Sequence, residues 1–229
     1  MKKNFFFLFC FICPMLVYSQ TVQTIGAMRQ TMWQGHLAGK IDLDTLTTKT
    51  AIYGLGPKEF LSGELLILDS KAYLSSVGDK GMIVEEAKTK APFFVYAEIK
   101  NWTETPLPEN VINLKDLETY LDSLTQNKPR PFAFRLIGEV ESAKIHIVNV
   151  PKGAKVASPD DAHKHNKTYV VQNEKSEILG FFSTEHQSVF THHDTFLHLH
   201  LITNDHQKMG HIDTLQLKKG SIRLFLPQY

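Results

Sequence analysis

Cysteine is almost missing from this chain of 229 residues, which has only Cys10 and Cys13. Both lie within residues 1–19, a segment that we predict to be a secretory leader. Once the leader is removed, the chain would carry no thiol, which excludes disulfide bonds, a thiolate nucleophile and metal binding through sulfur. A metal site in such a chain must therefore be built from histidine, aspartate or glutamate.

Long hydrophobic runs are also lacking, apart from the apolar stretch at residues 5–17. Lysines precede this stretch and small residues around Ser19 follow it, which is the pattern of a cleavable leader. The stretch contains Pro14 and is shorter than the roughly 20 apolar residues that a helix needs to cross a bilayer. We therefore expect cleavage near Ser19, an exported product that is periplasmic or secreted, and no membrane span.

Neither sign of charge dominates, because 25 basic side chains are balanced by 24 acidic ones and the formal net charge is +1. The basic residues are scattered, and no basic stripe with interleaved aromatic residues could follow a phosphate backbone. We therefore expect no nucleic acid partner. Hydrophobic residues make up 42% of the chain, which is typical of a globular protein with a sizeable core.

Helical periodicity is confined to two segments. In residues 24–35, apolar side chains recur at helical spacing up to Gly35, which predicts a first amphipathic helix. In residues 113–127, Asn113 can cap a helix whose leucines recur at positions 114, 117, 121 and 124. That stripe predicts a helix that packs against the core.

Most of the remaining chain has the alternating pattern of strands separated by turn residues. The predicted strand segments are residues 63–74, 91–100, 131–140, 143–150, 169–172, 178–182, 196–202, 211–217 and 221–227. We predict an α+β fold with a mixed sheet in an N-terminal part, about residues 20–150. A smaller antiparallel or barrel-like C-terminal part, about residues 151–229, would follow a polar loop that starts at Pro151.

The stretch FLHLHLI, residues 196–202, places two histidines on a predicted strand. Because side chains alternate along a strand, His198 and His200 share one face, while the leucines beside them point to the other face. Residues on the same face are about 6.6 Å apart, a separation that two imidazoles can bridge to bind one metal ion. The leucine face would lie in the core, so the histidine face needs another explanation.

A polar loop that ends in glycine follows this strand, and His211 lies directly beyond it. A hairpin would place His211 opposite the other two histidines, and three imidazoles with one open position are the ligand set of a catalytic zinc site. The alternative is a half-exposed strand face, or weak metal buffering, in a segment that holds nine of the eleven histidines. We assign to polar loops the histidines His163, His165, His186, His192, His193 and His206.

These segments resemble the acetolactate decarboxylase family. Its run GYHLHF resembles residues 196–201 here, and its GGHVLD resembles residues 209–213. In the same order along the chain, LSGELLILDSKAY, PFAFRLIGEVESAKI and ILGFFSTE resemble further family segments, so the similarity covers nearly all of the chain after the leader.

The resemblance implies a zinc-dependent carboxy-lyase that converts a 2-hydroxy-3-oxo acid, acetolactate, to acetoin with release of CO₂. It implies that His198, His200 and His211 bind Zn²⁺ and that Glu64 delivers a proton to the decarboxylated substrate. It also implies one acetolactate decarboxylase-like domain over residues 20–229 and a homodimer formed through the N-terminal sheet.

The chain departs from the family pattern in three places. A family arginine, eleven residues after the one that Arg135 matches, is replaced by His146, our second catalytic candidate. His146 could be a charged substitute, an extra zinc ligand or a residue of a strand face. Pro57 replaces a threonine, and the sequence ends at Tyr229, before the tail in which family members usually carry another carboxylate. The alternative function is therefore a member of the same fold that binds a metal or oxo acid without catalysis, or that acts on another substrate.

Overall fold

The computed structural model describes residues 21–228, so the predicted leader at residues 1–19 lies outside the described residues. The helices are α1 (Met28–Met32), α2 (Asp44–Thr47), α3 (Leu114–Leu124) and α4 (Pro159–His163). The strands are β1 (Gln23–Ile25), β2 (Ile41–Asp42), β3 (Ile52–Pro57), β4 (Glu64–Leu68), β5 (Lys71–Gly78), β6 (Gly81–Glu86), β7 (Lys90–Ala91), β8 (Phe94–Glu98), β9 (Trp102–Thr105), β10 (Phe132–Ile147), β11 (Lys167–Phe182), β12 (Leu197–Thr203), β13 (Met209–Leu217) and β14 (Arg223–Pro227). Strands predominate and the helices are few, which confirms the α+β class. Within this part of the chain, no helix is long and apolar enough to span a bilayer.

The first sheet has the strand order β1-β8-β3-β4-β5-β6, and every neighbouring pair in it is antiparallel. The prediction of a mixed N-terminal sheet is therefore wrong. The reason lies in the connections, because β3, β4, β5 and β6 follow one another through short turns. A parallel neighbour would need a crossover of about a dozen residues or more.

The second sheet has the order β11-β12-β13-β10-β14-β9, and β11 also pairs with β10. Strands β10 to β13 therefore form a closed ring, which confirms the barrel-like part of the prediction. This sheet has as many strands as the first and contains the two strands of 16 residues, so it is not the smaller part that we expected. It also includes β9 and β10, which precede the loop that starts at Pro151.

Helix α3 follows the predicted leucine stripe closely. The backbone N–H of Asp116 donates a hydrogen bond of 3.0 Å to the Asn113 side chain, which caps the helix as expected. Leu117 and Leu121 are fully buried in a cluster with the leucines of β12 and the apolar side chains of β10 and β13. The helix therefore packs on the leucine face of the strand that carries the HxH pair.

The first helix is shorter than predicted, since α1 covers only Met28–Met32 of the segment 24–35. Residues up to Ile25 pair with β8 instead. At Gly26 the backbone has a φ of +66°, and a Cβ would lie 2.3 Å from the carbonyl oxygen of Pro92. Strand pairing and a glycine turn therefore override the helical spacing of the apolar residues.

The two faces of β12 contact different layers, although all seven of its residues are buried. Its leucines belong to the cluster that includes α3. On the other face, Ile202 packs in a cluster with Tyr53 and Leu55 of the first sheet. The histidine face of β12 therefore lies between the two sheets and not in solvent.

Gly180 provides a test of the packing inside the closed ring of strands β10 to β13. It lies opposite Phe134 in the pairing of β10 with β11, and a Cβ at Gly180 would lie 2.2 Å from the Phe134 ring. We expect Gly180→Ala to lower the free energy of unfolding by about 1–3 kcal/mol, measured by urea denaturation, because the buried ring cannot move away freely. Val170→Ala, at a site on the same strand that is 60% exposed, is the control. Equal effects of the two substitutions would contradict this packing.

Candidate metal centre

Three histidines from two neighbouring strands meet between the sheets. His198 and His200 lie on β12, and the pairing with β13 sets His211 directly opposite His200. One nitrogen from each of the three rings lies within 4.8 Å of the other two. The three side chains are buried, with exposed fractions of 4%, 0% and 8%. The structure thus brings together the three residues that the sequence predicts as metal ligands.

The hydrogen bonds of this triad leave nitrogens free for an ion. Nδ1 of His200 lies 3.0 Å from the carbonyl oxygen of Leu65, which can only accept, so Nδ1 carries the proton and Nε2 keeps its lone pair. Within residues 21–228, Nε2 of His200 and Nδ1 of His198 are buried and have no hydrogen-bond partner. Leaving a buried polar atom without a partner costs about 1–3 kcal/mol. A metal ion would satisfy these atoms, so the donor set fits a zinc-type site.

Burial keeps the imidazoles of the triad uncharged. It lowers the pKa of His200 to about 3, with the positive charge of His146 as a second cause. Burial also lowers the pKa of His198 and of His211 well below the ordinary value, and the neighbouring histidines add to both shifts. Neutral imidazole is the form that binds metal ions.

Glu64 brings a carboxyl group from the first sheet to the triad. It is the first residue of β4, is 4% exposed, and accepts a hydrogen bond of 3.1 Å from the backbone N–H of Val148. Burial raises the pKa of Glu64 to about 7, although the charge of His146 and the Val148 hydrogen bond act in the opposite direction. Its Oε2 lies 3.6 Å from Nε2 of His200. Because His200 is neutral, this contact is not an ion pair.

His146 lies on β10 beside the triad, and its ring centroid is 4.8 Å from that of His211. Its Nδ1 is 2.6 Å from Oδ1 of Asp213. The pairing of β10 with β13 shifts register at this point, from Lys144 opposite Thr214 to Ile145 opposite Ile212, so Asp213 is an additional residue on β13. Asp213 is two residues from His211, the partner of His146, and the bulge changes the pairing beside it where its carboxylate meets His146.

The sequence profile of the alpha-acetolactate decarboxylase family matches residues 24–226 of this chain. The chain belongs to that family. Its likeness to the alpha-acetolactate decarboxylase of Brevibacillus brevis is 26% identity over 192 residues, which are 83% of this chain and 65% of that protein. The chain thus spans slightly less than two thirds of that relative. The Lactococcus lactis subsp. cremoris enzyme is 22% identical over 206 residues, which are 88% of this chain and 80% of that protein.

Solved structures of the family have the same fold. The Bacillus subtilis alpha-acetolactate decarboxylase superposes with a TM-score of 0.73 at 17% identity, over 90% of this chain and 86% of that one. A Staphylococcus aureus protein described as similar to alpha-acetolactate decarboxylase, with unknown function, gives a TM-score of 0.74 at 16% identity, over 91% of this chain and 85% of that one. These likenesses confirm the fold of this family member.

Two other positions of the family comparison are explained by the fold. Pro57 is the partner of Glu64 in the pairing of β3 with β4, so it lies beside the site but cannot donate a backbone hydrogen bond. The second position is Arg135. Its Nε donates a hydrogen bond of 2.8 Å to the Glu177 carboxylate, and its guanidinium group lies over the rings of Tyr53 and Trp102. In this family member Arg135 therefore joins the two sheets.

His192 belongs to the neighbourhood of the site, although the sequence pattern assigns it to a polar loop. Its ring centroid is 5.0 Å from that of His211 and 6.5 Å from that of His198. Burial lowers the pKa of His192 to about 4. His163 of α4 stacks on it at 6.3 Å. No motif or periodicity could have identified His192, because only the tertiary path of the loop brings it here.

The remaining loop histidines have other surroundings. His186 binds the Ser183 hydroxyl through Nδ1 at 2.7 Å and stacks on Phe190. His206 lies in the turn between β12 and β13, with its ring edge-on to Tyr73. His193 is exposed and His165 is half-buried. The structure does not bring these four side chains into the triad.

A cavity of about 360 Å³ reaches His211, the one member of the triad that lines it. His192, His211 and Asp213 line its inner side. Its other walls include Lys115 and Glu118 of α3 together with the apolar side chains of Leu114, Leu197, Leu199 and Ile212. The cavity is therefore polar where it meets the imidazoles, which suits a small oxygen-rich ligand.

Acidification should destabilise the metal-free protein between pH 6.5 and pH 4.5. These limits are the ordinary pKa values of histidine and glutamate, which apply to the unfolded chain. In this window the buried imidazoles stay neutral when folded but take up protons when unfolded, so the free energy of unfolding falls as pH falls. Glu64 has the opposite effect, because its raised pKa contributes stability that is present below pH 4.5 and is lost as pH rises to about 7. The imidazoles with lowered pKa values outnumber the one carboxyl with a raised pKa. The free energy of unfolding therefore falls, in sum, as the pH falls through this window.

Urea unfolding at a series of pH values measures this slope. His193→Asn, which removes an exposed imidazole, should keep the slope of the unmodified protein. A free energy of unfolding that increases on acidification in the same window would contradict neutral, buried imidazoles.

Proposed function

We propose that this member of the alpha-acetolactate decarboxylase family is a zinc-dependent carboxy-lyase that converts acetolactate to acetoin and CO₂. The observation that carries the proposal is the meeting of three buried, neutral imidazoles with the buried carboxyl of Glu64. Membership of the family supports the same reaction class.

The proposed ion would be held by His198, His200 and His211, whose free nitrogens provide the donors. When bound, zinc would supply a Lewis acid that stabilises negative charge on a substrate oxygen. The chain itself excludes water from this place, because all three ligand side chains are buried between the two sheets.

Glu64 is proposed as the proton donor. Loss of CO₂ leaves an electron pair on the carbon that carried the carboxylate, and acetoin needs one proton at that carbon. With a pKa of about 7, the Glu64 carboxyl is partly protonated at neutral pH. The Val148 N–H holds Oε1, while Oε2 lies toward His200 and the site. The carboxyl can therefore deliver the proton to one face of the substrate.

His146 is proposed to bind a substrate oxygen at the place where the family pattern has an arginine. Its bond to Asp213 fixes the ring. A charged imidazole could then attract the carboxylate or carbonyl of the substrate, although it has fewer donors than a guanidinium group. This assignment favours a substrate-binding role for His146 over the roles of extra ligand or strand-face residue.

Export and dimer formation belong to the same proposal. We propose that the protein acts outside the cytoplasm after cleavage near Ser19, on the strength of the lysines and apolar run in residues 1–19. We propose a homodimer because family resemblance implies one. N-terminal sequencing of the exported protein and gel filtration test these two points.

Replacing Glu64 should separate metal binding from catalysis. Glu64→Gln keeps the shape of the side chain but removes its ionisable proton, so we expect unchanged zinc content and a loss in kcat of about 10²- to 10⁴-fold. His200→Ala should lose both zinc and activity, because it removes a ligand. Metal analysis and the release of CO₂ and acetoin from acetolactate measure the two effects.

If the unmodified protein holds zinc but releases no CO₂ from any 2-hydroxy-3-oxo acid, the catalytic proposal fails. Thermal stabilisation by such an acid without turnover would then identify the non-catalytic binding protein.

Replacing His146 should weaken the reaction without removing the metal. We expect His146→Gln to lower kcat/KM by about 10²- to 10³-fold, the loss typical of one preorganised charged donor. The control is Lys144→Gln, an exposed position on the same strand, which should leave kcat/KM unchanged. If His146→Gln keeps full kcat/KM, His146 is only a residue of the strand face.

A further inference from the structure

A fourth imidazole, that of His192, lies as close to His211 as the members of the triad lie to one another. The ring centroids of the triad are 5.0 to 5.5 Å apart, and that of His192 is 5.0 Å from His211. Two imidazoles that bind one tetrahedral ion, with nitrogens about 2.0–2.1 Å from it, have centroids roughly 5 Å apart. The spacing of His192 from His211 therefore allows the two rings to share an ion. His146 lies at a similar distance from His211, but its Nδ1 is already bonded to Asp213.

The surroundings of His192 differ from those of its neighbour in sequence. His192 is half-buried and lines the cavity beside His211, whereas His193 is exposed. The His192 ring contacts the rings of His163, His198 and His211. Within residues 21–228 its side chain makes no side-chain hydrogen bond. No protein hydrogen bond within these residues therefore competes for the nitrogens of His192.

The loop that carries His192 is fixed on both sides. Before it, Thr191 is fully buried. After it, Oε2 of Glu118 on α3 accepts hydrogen bonds from the Thr195 hydroxyl at 2.6 Å and from the Phe196 N–H at 2.7 Å. Gln187 also donates to the carbonyl of His193 at 3.0 Å. These contacts preorganise the backbone of residues 191–196, so the position of the His192 ring is not that of a free surface side chain.

We propose that His192 is a fourth nitrogen ligand of the divalent ion held by His198, His200 and His211. The distance of 6.5 Å between the rings of His192 and His198 is larger than that within the triad, so ligation requires the His192 ring to turn toward the ion about its two side-chain bonds. The ion would be one that prefers nitrogen donors, such as zinc or cobalt. This inference rests on the metal site of the proposed function.

A ligand on a loop has a different role from three ligands on paired strands. Four imidazoles fill a tetrahedral site, whereas a catalytic site needs one exchangeable position. His192 lines the cavity through which a substrate would approach, so it is the ligand that a substrate oxygen would displace. The three strand-borne ligands would keep the ion in place during this exchange.

Cobalt(II) spectroscopy of cysteine variants tests direct ligation. In His192→Cys, a thiolate at the position of the imidazole should give a thiolate-to-cobalt charge-transfer band that the unmodified protein lacks. The matched control is His193→Cys, one residue further along the same loop, which should lack the band. The unmodified chain, whose only cysteines are Cys10 and Cys13, gives the baseline.

Zinc affinity provides a second readout that does not depend on activity. We expect His192→Ala to weaken zinc binding at least 10-fold in competition with a chelator, and His193→Ala to leave it unchanged. Thermal unfolding of the metal-free variants should give midpoints close to that of the unmodified protein, which separates loss of a ligand from misfolding.

The outcomes distinguish this inference from the proposed function. If the unmodified protein binds no zinc or cobalt, the proposed metal site itself fails. If it binds one ion per chain, but His192→Cys lacks the band and His192→Ala keeps full affinity, the fourth ligand is overturned and the three-histidine site stands.

Discussion

The site depends on one hydrogen bond between the two sheets, from Nδ1 of His200 to the carbonyl of Leu65. His200 belongs to the second sheet, and Leu65 follows Glu64 in the first. The bond therefore sets the orientation of one ring of the candidate metal site and at the same time holds the strand that carries Glu64. Because β12 and β13 pair at His200 and His211, the same contact fixes the place of the third imidazole. A change in the distance between the sheets would separate the three imidazoles from the Glu64 carboxyl.

Burial has opposite effects on the two kinds of titratable group in this layer. It disfavours the charged form of each, so imidazoles lose protons and the carboxyl keeps one. For His200 and Glu64 the result is an uncharged imidazole with a free lone pair next to a carboxyl group that is partly protonated at neutral pH. A cation bound by the imidazoles would favour ionisation of Glu64, which couples proton release to the charge of the centre. The surrounding apolar sheets thus make metal binding and acid chemistry possible within a few ångströms.

The sequence was informative where local periodicity determines structure. Alternation along β12 predicts which residues share a face with His198 and His200, and the leucine stripe and Asn113 cap predict α3 almost to the residue. Contacts that depend on tertiary structure could not be predicted. Asp213 reaches His146 through a bulge, and His192 reaches the site through a loop whose path depends on Glu118, far away in sequence. The antiparallel pairing of the first sheet follows from its short connections, which the alternation within a single strand does not encode.

The alternation of leucine and histidine along β12 also has a consequence for folding. A slip of one residue in the pairing of this strand would point the imidazoles into the apolar cluster that contains α3 and would point the leucines toward Glu64. Both arrangements satisfy the backbone hydrogen bonds, so backbone pairing alone discriminates poorly between them. Only the correct register presents three nitrogens to one ion. Burial of the leucines therefore selects the register that also brings the three nitrogens together.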